Sequence, residues 1–278
     1  MPKLSRRAFL SHLAFGGVAL LAGRVAGNVY RARVTRHRVS LPRLREGLRI
    51  VQLSDLHFGP YIRTGSVRAW VAQAQAQQGD LIVLTGDTVD RWLRTPLTDL
   101  VAALSALQAP LGVWACVGNH DRRRFPDIAP LRQALNEAGI TLLINEGRLL
   151  RPDLYLGGVD DWGTGTPDLE AAMIDAPGSA ATLLLNHQPD FFPSMTLPVD
   201  LTLSGHTHGG QVRLPYWGVL ETSSGYGERY LEGWAPPPDA RFGKAYVSRG
   251  LGVSFLPIRW NCPAEMAVFD LEPGPVPI

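Results

Sequence analysis

Five apolar runs, spread over more than half of the chain, each end in residues of the kinds that bind metal ions. In open α/β sheets, ligands bind just beyond the carboxyl ends of the strands, so residues far apart in sequence can meet in one crevice. Of the seven histidines, only His12 and His37 lie outside these run ends. The sequence therefore predicts five strand ends that converge on one site. The run ends are Ser-Asp-Leu-His (54–57), Gly-Asp-Thr-Val-Asp (86–90), Gly-Asn-His-Asp (118–121), Asn-His (186–187) and Gly-His-Thr-His (205–208).

Strand and helix patterns alternate between these run ends. Residues 81–85 and 113–117 have the pattern of buried strands, and residues 64–78 and 96–107 have the pattern of helices. This alternation favours parallel pairing in an α/β fold. The second half is richer in strands, and no repeat or low-complexity linker marks a second domain. We predict one catalytic domain with two packed sheets.

Composition excludes several classes of protein. Hydrophobic residues make up 45% of the chain and charged residues 19%, which is typical of a folded globular protein rather than a disordered or fibrous one. The formal net charge of +2 is small for 278 residues. A nucleic-acid scaffold role is therefore not expected.

The spacing within the run ends favours a metal site. In an extended segment alternate side chains point the same way, so Asp55 and His57 would face one ion, and His206 and His208 would repeat that geometry. Each motif alone is a weak signal, since Gly-Asp is a common turn. The alternative for the whole set is a network of buried histidines and capping aspartates. The combination of five motifs favours the metal interpretation.

Taken in order, the motifs Asp-x-His, Gly-Asp-x-x-Asp, Gly-Asn-His-Asp, His and Gly-His-x-His resemble the calcineurin-like metallophosphoesterases. The resemblance covers residues 50–208, and the flanking segments 53–59, 205–211 and 248–252 resemble the exported or membrane-associated YkuE-like branch. It implies a four-layer α/β/β/α sandwich, with two packed mixed sheets flanked by helices. It also implies a centre of two divalent ions, manganese, iron, zinc or similar, whose identity the spacing cannot give.

The same resemblance implies a ligand set and a reaction. A hydroxide that bridges the two ions would attack the phosphorus of a phosphoester. Mixed oxygen and nitrogen donors without cysteine suit divalent transition metals. The implied ligands are Asp55, His57 and His208 for the first ion, Asn119, His187 and His206 for the second, and Asp87 as the bridge.

Two further residues are predicted to be catalytic. By the resemblance, His120 points at the scissile phosphate, where it would stabilise charge or protonate the leaving oxygen. Asp121 is expected to orient the other ring nitrogen of His120. Asp90 either anchors the ring of the ligand His57 without contacting the ion or caps a following helix, and the anchoring role is favoured.

Residues near the motifs are candidates for substrate contacts. The arginines 122–124 would either pair with a phosphate or lie on a solvated loop, and the solvated loop is favoured. Six aromatic residues would either form an apolar wall or pack in the core. Asp160 and Asp161 follow another strand but receive no catalytic role. The aromatic residues are Phe58, Tyr61, Trp162, Tyr216, Trp217 and Tyr226.

The first 27 residues have the pattern of an export signal. A basic start, Ser-Arg-Arg-Ala-Phe-Leu at 5–10, precedes a short apolar stretch and resembles the twin-arginine export consensus. Residues 1–27 are therefore predicted to be a twin-arginine signal or membrane anchor, 28–46 a linker or edge segment, and 47–278 the catalytic domain. Whether the leader is cleaved stays open. The expected partners are the export machinery and a membrane, and the expected location is periplasmic or extracytoplasmic, with anchoring to the inner membrane as one form.

Three functions remain in view. The leading one is a metal-dependent phosphoesterase that hydrolyses a phosphodiester or phosphomonoester, with a lipid-linked substrate as one form. The second is a UDP-2,3-diacylglucosamine pyrophosphatase of lipid A synthesis, which relatives of this branch suggest. The third is a metal-binding scaffold without turnover, which the complete ligand set disfavours.

Overall fold

Two six-stranded sheets contain most of the apolar runs. The structure is a computed structural model that describes residues 30–236 and 242–275. The predicted leader, residues 1–27, lies outside the described residues. Within the described ranges, no helix combines the length and the apolar character needed to cross a bilayer.

The bounds of the elements follow the apolar patterns. In the first helix, Val67, Trp70, Val71 and Ala74 are buried, which is the spacing of one helical face. The α-helices with both ends in the described ranges are α1 (Thr64–Gln75), α2 (Leu97–Leu104), α3 (Asn119–Arg124), α4 (Ala129–Glu137) and α5 (Leu169–Met173). The strands are β1 (Arg33–Leu41), β2 (Leu48–Leu53), β3 (Leu81–Thr85), β4 (Val113–Cys116), β5 (Ile140–Leu143), β6 (Glu146–Arg151), β7 (Leu154–Gly158), β8 (Ala181–Leu185), β9 (Leu201–Ser204), β10 (Arg213–Leu214), β11 (Gly218–Val219), β12 (Gly233–Ala235), β13 (Lys244–Val247) and β14 (Glu265–Pro273).

Both large sheets are mixed. The first has the order β1-β14-β2-β3-β4-β5, in which β2 to β5 run parallel and β14 runs antiparallel to β2. The second has the order β12-β13-β9-β8-β7-β6, in which the four central strands run parallel and the two edge strands antiparallel. β10 and β11 form a separate hairpin.

Three apolar layers hold these elements together and confirm the four-layer sandwich. Alternate residues of β3 face opposite sides: Leu84 packs with Trp70 of α1 on the outer face, and Leu81 faces the second sheet. Across the second sheet, Leu185 faces the first sheet and Leu184 packs on the outer side with Met173 of α5. Each such leucine, fully buried, contributes about 1.5–3 kcal/mol.

The loops after β2 and β3 are joined by backbone hydrogen bonds. The amide of Asp55 donates to the carbonyl of Gly86 at 3.1 Å, and the amide of His57 donates to that of Asp87 at 2.9 Å. In the second sheet, the amide of Gly205 donates to the carbonyl of His187 at 3.0 Å. These pairings hold the predicted ligands in neighbouring loops at one end of the two sheets.

The first sheet begins earlier than the predicted domain start at residue 47. Arg33–Leu41, which falls in the segment predicted as a linker or edge, forms strand β1 and pairs in parallel with β14 along its whole length. Its three arginines, at 33, 36 and 38, lie exposed, and Val39 and Leu41 are buried between the sheets. An edge strand can carry this many charges because one of its sides stays in water.

Candidate metal centre

Five of the seven predicted ligands have a left-handed backbone conformation in turns at the strand ends, and are not part of extended segments. The expectation that Asp55 and His57 share one side of a strand is therefore wrong, because β2 ends at Leu53 and the chain turns within the motif. A left-handed backbone costs about 1–2 kcal/mol for residues with a Cβ atom, and such strain collects at functional sites. The φ angles are 53° at Asp55, 49° at His57, 50° at Asp87, 75° at His206 and 52° at His208.

One cluster brings together Asp55, His57 and His208, the three ligands predicted for the first ion. The Nε2 atoms of His57 and His208 lie 2.9 Å apart, and Oδ1 of Asp55 lies 3.5 Å from Nε2 of His208. Burial, His57 and Arg259 hold the pKa of His208 well below its usual value, so its ring carries a lone pair. All three side chains are buried.

A second cluster brings together Asp87, His187 and His206, with Asn119 beside them. Nδ1 of His187 lies 2.8 Å from the carbonyl oxygen of Thr85, to which it can only donate. Its Nε2 therefore faces two oxygens, Oδ2 of Asp87 at 3.3 Å and Oδ1 of Asn119 at 3.2 Å. A proton on Nε2 or a cation between these atoms would satisfy both oxygens.

His206 reaches this cluster with its other ring nitrogen. Its Nε2 lies 2.8 Å from the carbonyl oxygen of Ser223, which leaves Nδ1 for an ion. The backbone amide of His206 donates to both carboxylate oxygens of Asp55 at 3.1 Å. The two clusters are thus tied to each other through Asp55.

Asp87 lies between the clusters. Its Oδ2 is 3.5 Å from Nε2 of His57 and 3.3 Å from Nε2 of His187, while its Oδ1 accepts the amide of His120 at 2.7 Å. Burial opposes the charge of Asp87, but the three histidines outweigh it and hold its pKa well below the usual value. The carboxylate is placed to bridge two ions.

The donor set fits two divalent ions. Bonds of about 2.0–2.2 Å from nitrogen and oxygen to one ion place neighbouring donor atoms roughly 3 Å apart. The facing atoms of the two clusters lie 2.9 to 4.0 Å apart. Burial opposes a charge on His187, yet Asp87 and its neighbours raise the pKa of that ring well above its usual value. Surroundings that draw a proton this strongly also suit a metal cation.

Asp90 contacts two histidines at once. Its Oδ2 lies 3.4 Å from Nδ1 of the predicted ligand His57 and 3.5 Å from Nδ1 of His120. Burial opposes the charge of Asp90, but the two histidine rings beside it lower its pKa. Burial of the His120 ring opposes its protonation, but Asp87 and Asp90 together raise its pKa.

Asp121 does not orient His120, contrary to the prediction. Its two carboxylate oxygens accept the backbone amides of Val89 and Gly118, each at 2.9 Å. Burial, together with the nearby charge of Asp87, raises the pKa of Asp121 to about 7. Asp121 joins two ligand loops, and the carboxylate beside the His120 ring is that of Asp90.

A cavity of about 390 Å³ opens over the clusters. Asp87, Asn119, His120, His206 and His208 line its floor, together with Arg123. One wall is apolar and consists of Val212, Leu220, Phe255 and Leu256, whereas none of the six predicted aromatic residues lines the cavity. Arg122 turns away and pairs with both oxygens of Asp160 at 2.9 and 2.7 Å.

Arg259 belongs to the site but carries no signal in the sequence. It is completely buried, and its Nη2 lies 3.3 Å from Nδ1 of His208. The same nitrogen donates to the carbonyls of Gly252 at 2.7 Å and Arg249 at 2.8 Å. The guanidinium therefore fixes the segment behind His208, an arrangement that only the folded chain brings about.

Comparison with known proteins agrees with this geometry. The profile of the family described as "Calcineurin-like phosphoesterase" matches residues 48–210, more than half of the chain. The uncharacterized metallophosphoesterase YkuE of Bacillus subtilis is 32% identical over 98% of this chain and 99% of its own length. The phosphodiesterase YaeI of Escherichia coli is 32% identical over 80% and 82%, respectively. The UDP-2,3-diacylglucosamine pyrophosphatase LpxG of Chlamydia trachomatis is 28% identical over 85% and 88%.

Proposed function

We propose that this chain cleaves a phosphodiester at its two clusters of metal-ligand residues. The chain belongs to the calcineurin-like phosphoesterase family and is a phosphoester hydrolase. The observation that supports this most is the position of Asp87, with Oδ2 within 3.5 Å of a histidine nitrogen from each cluster. A bridging carboxylate with three further ligands on either side is the arrangement of a two-ion hydrolytic site. When bound, two such ions would lower the pKa of a water between them and thereby supply hydroxide as the nucleophile.

The residues of the chain have separate tasks in this reaction. His120 lies on the cavity floor, and its raised pKa favours the protonated ring. As the ester P–O bond breaks opposite the new P–O bond, His120 can give its proton to the leaving oxygen. Asp90 holds the ring and supports its charge. Arg123 lines the cavity and can pair with a phosphate oxygen.

A diester fits the shape of the cavity better than a monoester does. The floor is polar and the wall is apolar, so a phosphate on the floor leaves room for a second substituent along Leu220, Phe255 and Leu256. A similarity to a protein named as a phosphodiesterase supports the same choice.

The test is hydrolysis by the metal-stripped chain with and without added manganese. We expect metal-dependent cleavage of bis-p-nitrophenyl phosphate that exceeds cleavage of p-nitrophenyl phosphate. Asp87→Asn should abolish it, whereas Asp99→Asn, on the exposed face of α2, should retain it. No turnover with any divalent ion, despite bound metal, would favour the scaffold function instead.

A second candidate substrate is a nucleoside diphosphate linked to an acylated sugar. The apolar wall could take an acyl chain, and the relative named as a UDP-2,3-diacylglucosamine pyrophosphatase aligns with 85% of this chain. Release of uridine monophosphate from UDP-2,3-diacylglucosamine would identify this activity. Cleavage of simple diesters without such release would exclude it.

We also propose that residues 1–27 direct the chain across a membrane by the twin-arginine route. The paired arginines at 6 and 7 and the apolar stretch after them support this proposal. A reporter that is active only outside the cytoplasm, fused after the full chain, should be active. Replacement of both arginines by lysine should abolish that activity, and an unchanged signal would contradict the export proposal.

A further inference from the structure

The β10–β11 hairpin presents aromatic side chains at its tip. Val212 and Leu220, at the base of the hairpin, line the cavity wall. Tyr216 and Trp217, at the tip, are exposed, with 80% of the Trp217 surface accessible. Exposed aromatic residues on a protruding turn have no packing role in the folded chain, so they indicate a contact with another molecule.

The segment at Phe255 and Leu256, which belongs to the same apolar wall, has a similar character. Phe255 and Leu256 are each 58% exposed although they line the cavity. The ring of Trp92 lies 6.0 Å from that of Phe255, and the guanidinium of Arg91 lies 3.9 Å above the Trp92 ring. The apolar surface thus continues from the cavity wall to the outside of the protein. We call Trp92, Tyr216, Trp217, Leu220, Phe255 and Leu256 the apolar rim.

Unpaired positive charge lies along part of the apolar rim, beside Trp92 and in the cavity, whereas Glu228 lies next to the hairpin at Gly218. Arg63, Arg94 and Arg123 form no ion pair with any acidic residue in the described parts of the chain. Arg63 and Arg94 line a depression beside Trp92, and Arg123 lines the cavity. Glu221 also lies on the cavity wall, where it accepts the amide of Ser223. The three arginines favour a negatively charged partner.

The chain enters the described fold at this same end. Strand β1 begins at Arg33, which pairs with Glu265 at the start of β14. The amide of Glu265 donates to the carbonyl of Gly250 at 2.9 Å. The amide of Leu251, the residue after Gly250, donates to the carbonyl of Ser54 at 2.9 Å. Ser54 directly precedes Asp55, the first predicted metal ligand. A leader held in a membrane would therefore bring that membrane to the end of the sheets where the cavity opens.

We propose that the catalytic domain itself docks on an anionic phospholipid bilayer, with the apolar rim in the interface and the cavity mouth facing the lipid. Tryptophan and tyrosine are enriched where a protein meets the headgroup region, and arginines add attraction to anionic lipids. The rim residues stand on protruding loops, a shape that suits insertion between headgroups. Docking does not require turnover, so it can fail or succeed independently of the proposed function.

The test uses the full chain with an environment-sensitive nitrobenzofurazan label at Trp217→Cys. Both native cysteines, Cys116 and Cys262, are buried, so the label attaches at the introduced position. Ile174→Cys is the matched control, because Ile174 is 79% exposed and follows α5, beside the strand starts of the second sheet. We expect a blue shift at position 217 with vesicles of equal parts phosphatidylglycerol and phosphatidylcholine, and none at position 174.

The leader can bind vesicles in both labelled chains, and the label at position 217 separates the two modes. If the chain sediments with vesicles and the label does not shift, the leader alone binds and the docking proposal is wrong. Equal shifts at both positions would also overturn it, and so would an equal shift with phosphatidylcholine alone. Arg63→Gln with Arg94→Gln should weaken the shift, whereas Arg148→Gln, at the far edge strand β6, should not. Hydrolysis of bis-p-nitrophenyl phosphate by the wild-type chain, measured in parallel, tests the proposed function separately.

Discussion

At the scale of single residues, His120 gives the sharpest test of the chemistry. We expect His120→Asn to lower kcat by about 10²–10⁴-fold for an alkyl phosphodiester, because an alkoxide needs a proton to leave. The loss should be much smaller for bis-p-nitrophenyl phosphate, whose leaving group needs no proton. Metal content should match that of the wild type, since His120 lies outside the clusters at Asp55 and Asp87 and its ring contacts Asp90 instead. Equal losses for both esters would contradict the role of His120 as a proton donor.

The pairing of Asp90 with His120 predicts a shift in pH dependence. Burial opposes protonation of His120, but Asp87 and Asp90 raise its pKa, and in the proposed reaction the protonated ring is the active form. Asp90→Asn removes one negative charge, so the alkaline limb of kcat/KM should move to lower pH. Asp121→Asn should leave that limb in place, since Asp121 binds the amides of Val89 and Gly118. The reverse pattern would assign the positioning role to Asp121.

At the scale of the elements, the turn after β9 has no room for a side chain. A Cβ atom at Gly205 would overlap Oγ of Ser54 and Oδ2 of Asp55. We expect Gly205→Ala to destabilise the fold by about 1–3 kcal/mol and to weaken metal binding, as measured by denaturant unfolding and by metal content. Gly178→Ala is the matched control, since nothing lies within 4 Å of its Cβ position. Equal effects of the two substitutions would show that the turn tolerates a side chain.

How far the sequence predicts an element depends on how local its cause is. Strand β3 (Leu81–Thr85) has the predicted bounds, because it is a short apolar run buried on both faces. For residues 33–41 the sequence left a linker or an edge segment open, because an arginine-rich edge strand exists only through its pairing with β14. The left-handed turns at Asp55 and His57 were missed. Their conformation is fixed by hydrogen bonds from their backbone amides to the neighbouring loop, not by the motif itself.

At the scale of the whole molecule, the site is completed by residues far beyond the motifs. The family profile ends at residue 210. Nevertheless, the amides of Leu251 and Gly252 donate hydrogen bonds to the carbonyls of Ser54 and Asp55, and Arg259 contacts the ring of His208. The ligand types were predictable because each motif is local. Arg259 and the cavity wall were not, because folding alone brings residues 251–259 to the strand ends.

Because the two clusters of ligand residues join both sheets and five loops, ion binding should stabilise the whole domain. An ion that binds only the folded state adds about 2.7 kcal/mol at a concentration 100 times its Kd. For a domain of this size, that raises Tm by about 5–10 °C. We therefore expect manganese to raise the Tm of the metal-stripped chain in a calorimetric scan, and to raise that of Asp99→Asn equally. Asp87→Asn should lose most of this increase, because Asp87 contacts both clusters. If Asp87→Asn showed the full increase in Tm, each ion would bind without the bridging carboxylate. The two ions would then occupy two independent sites.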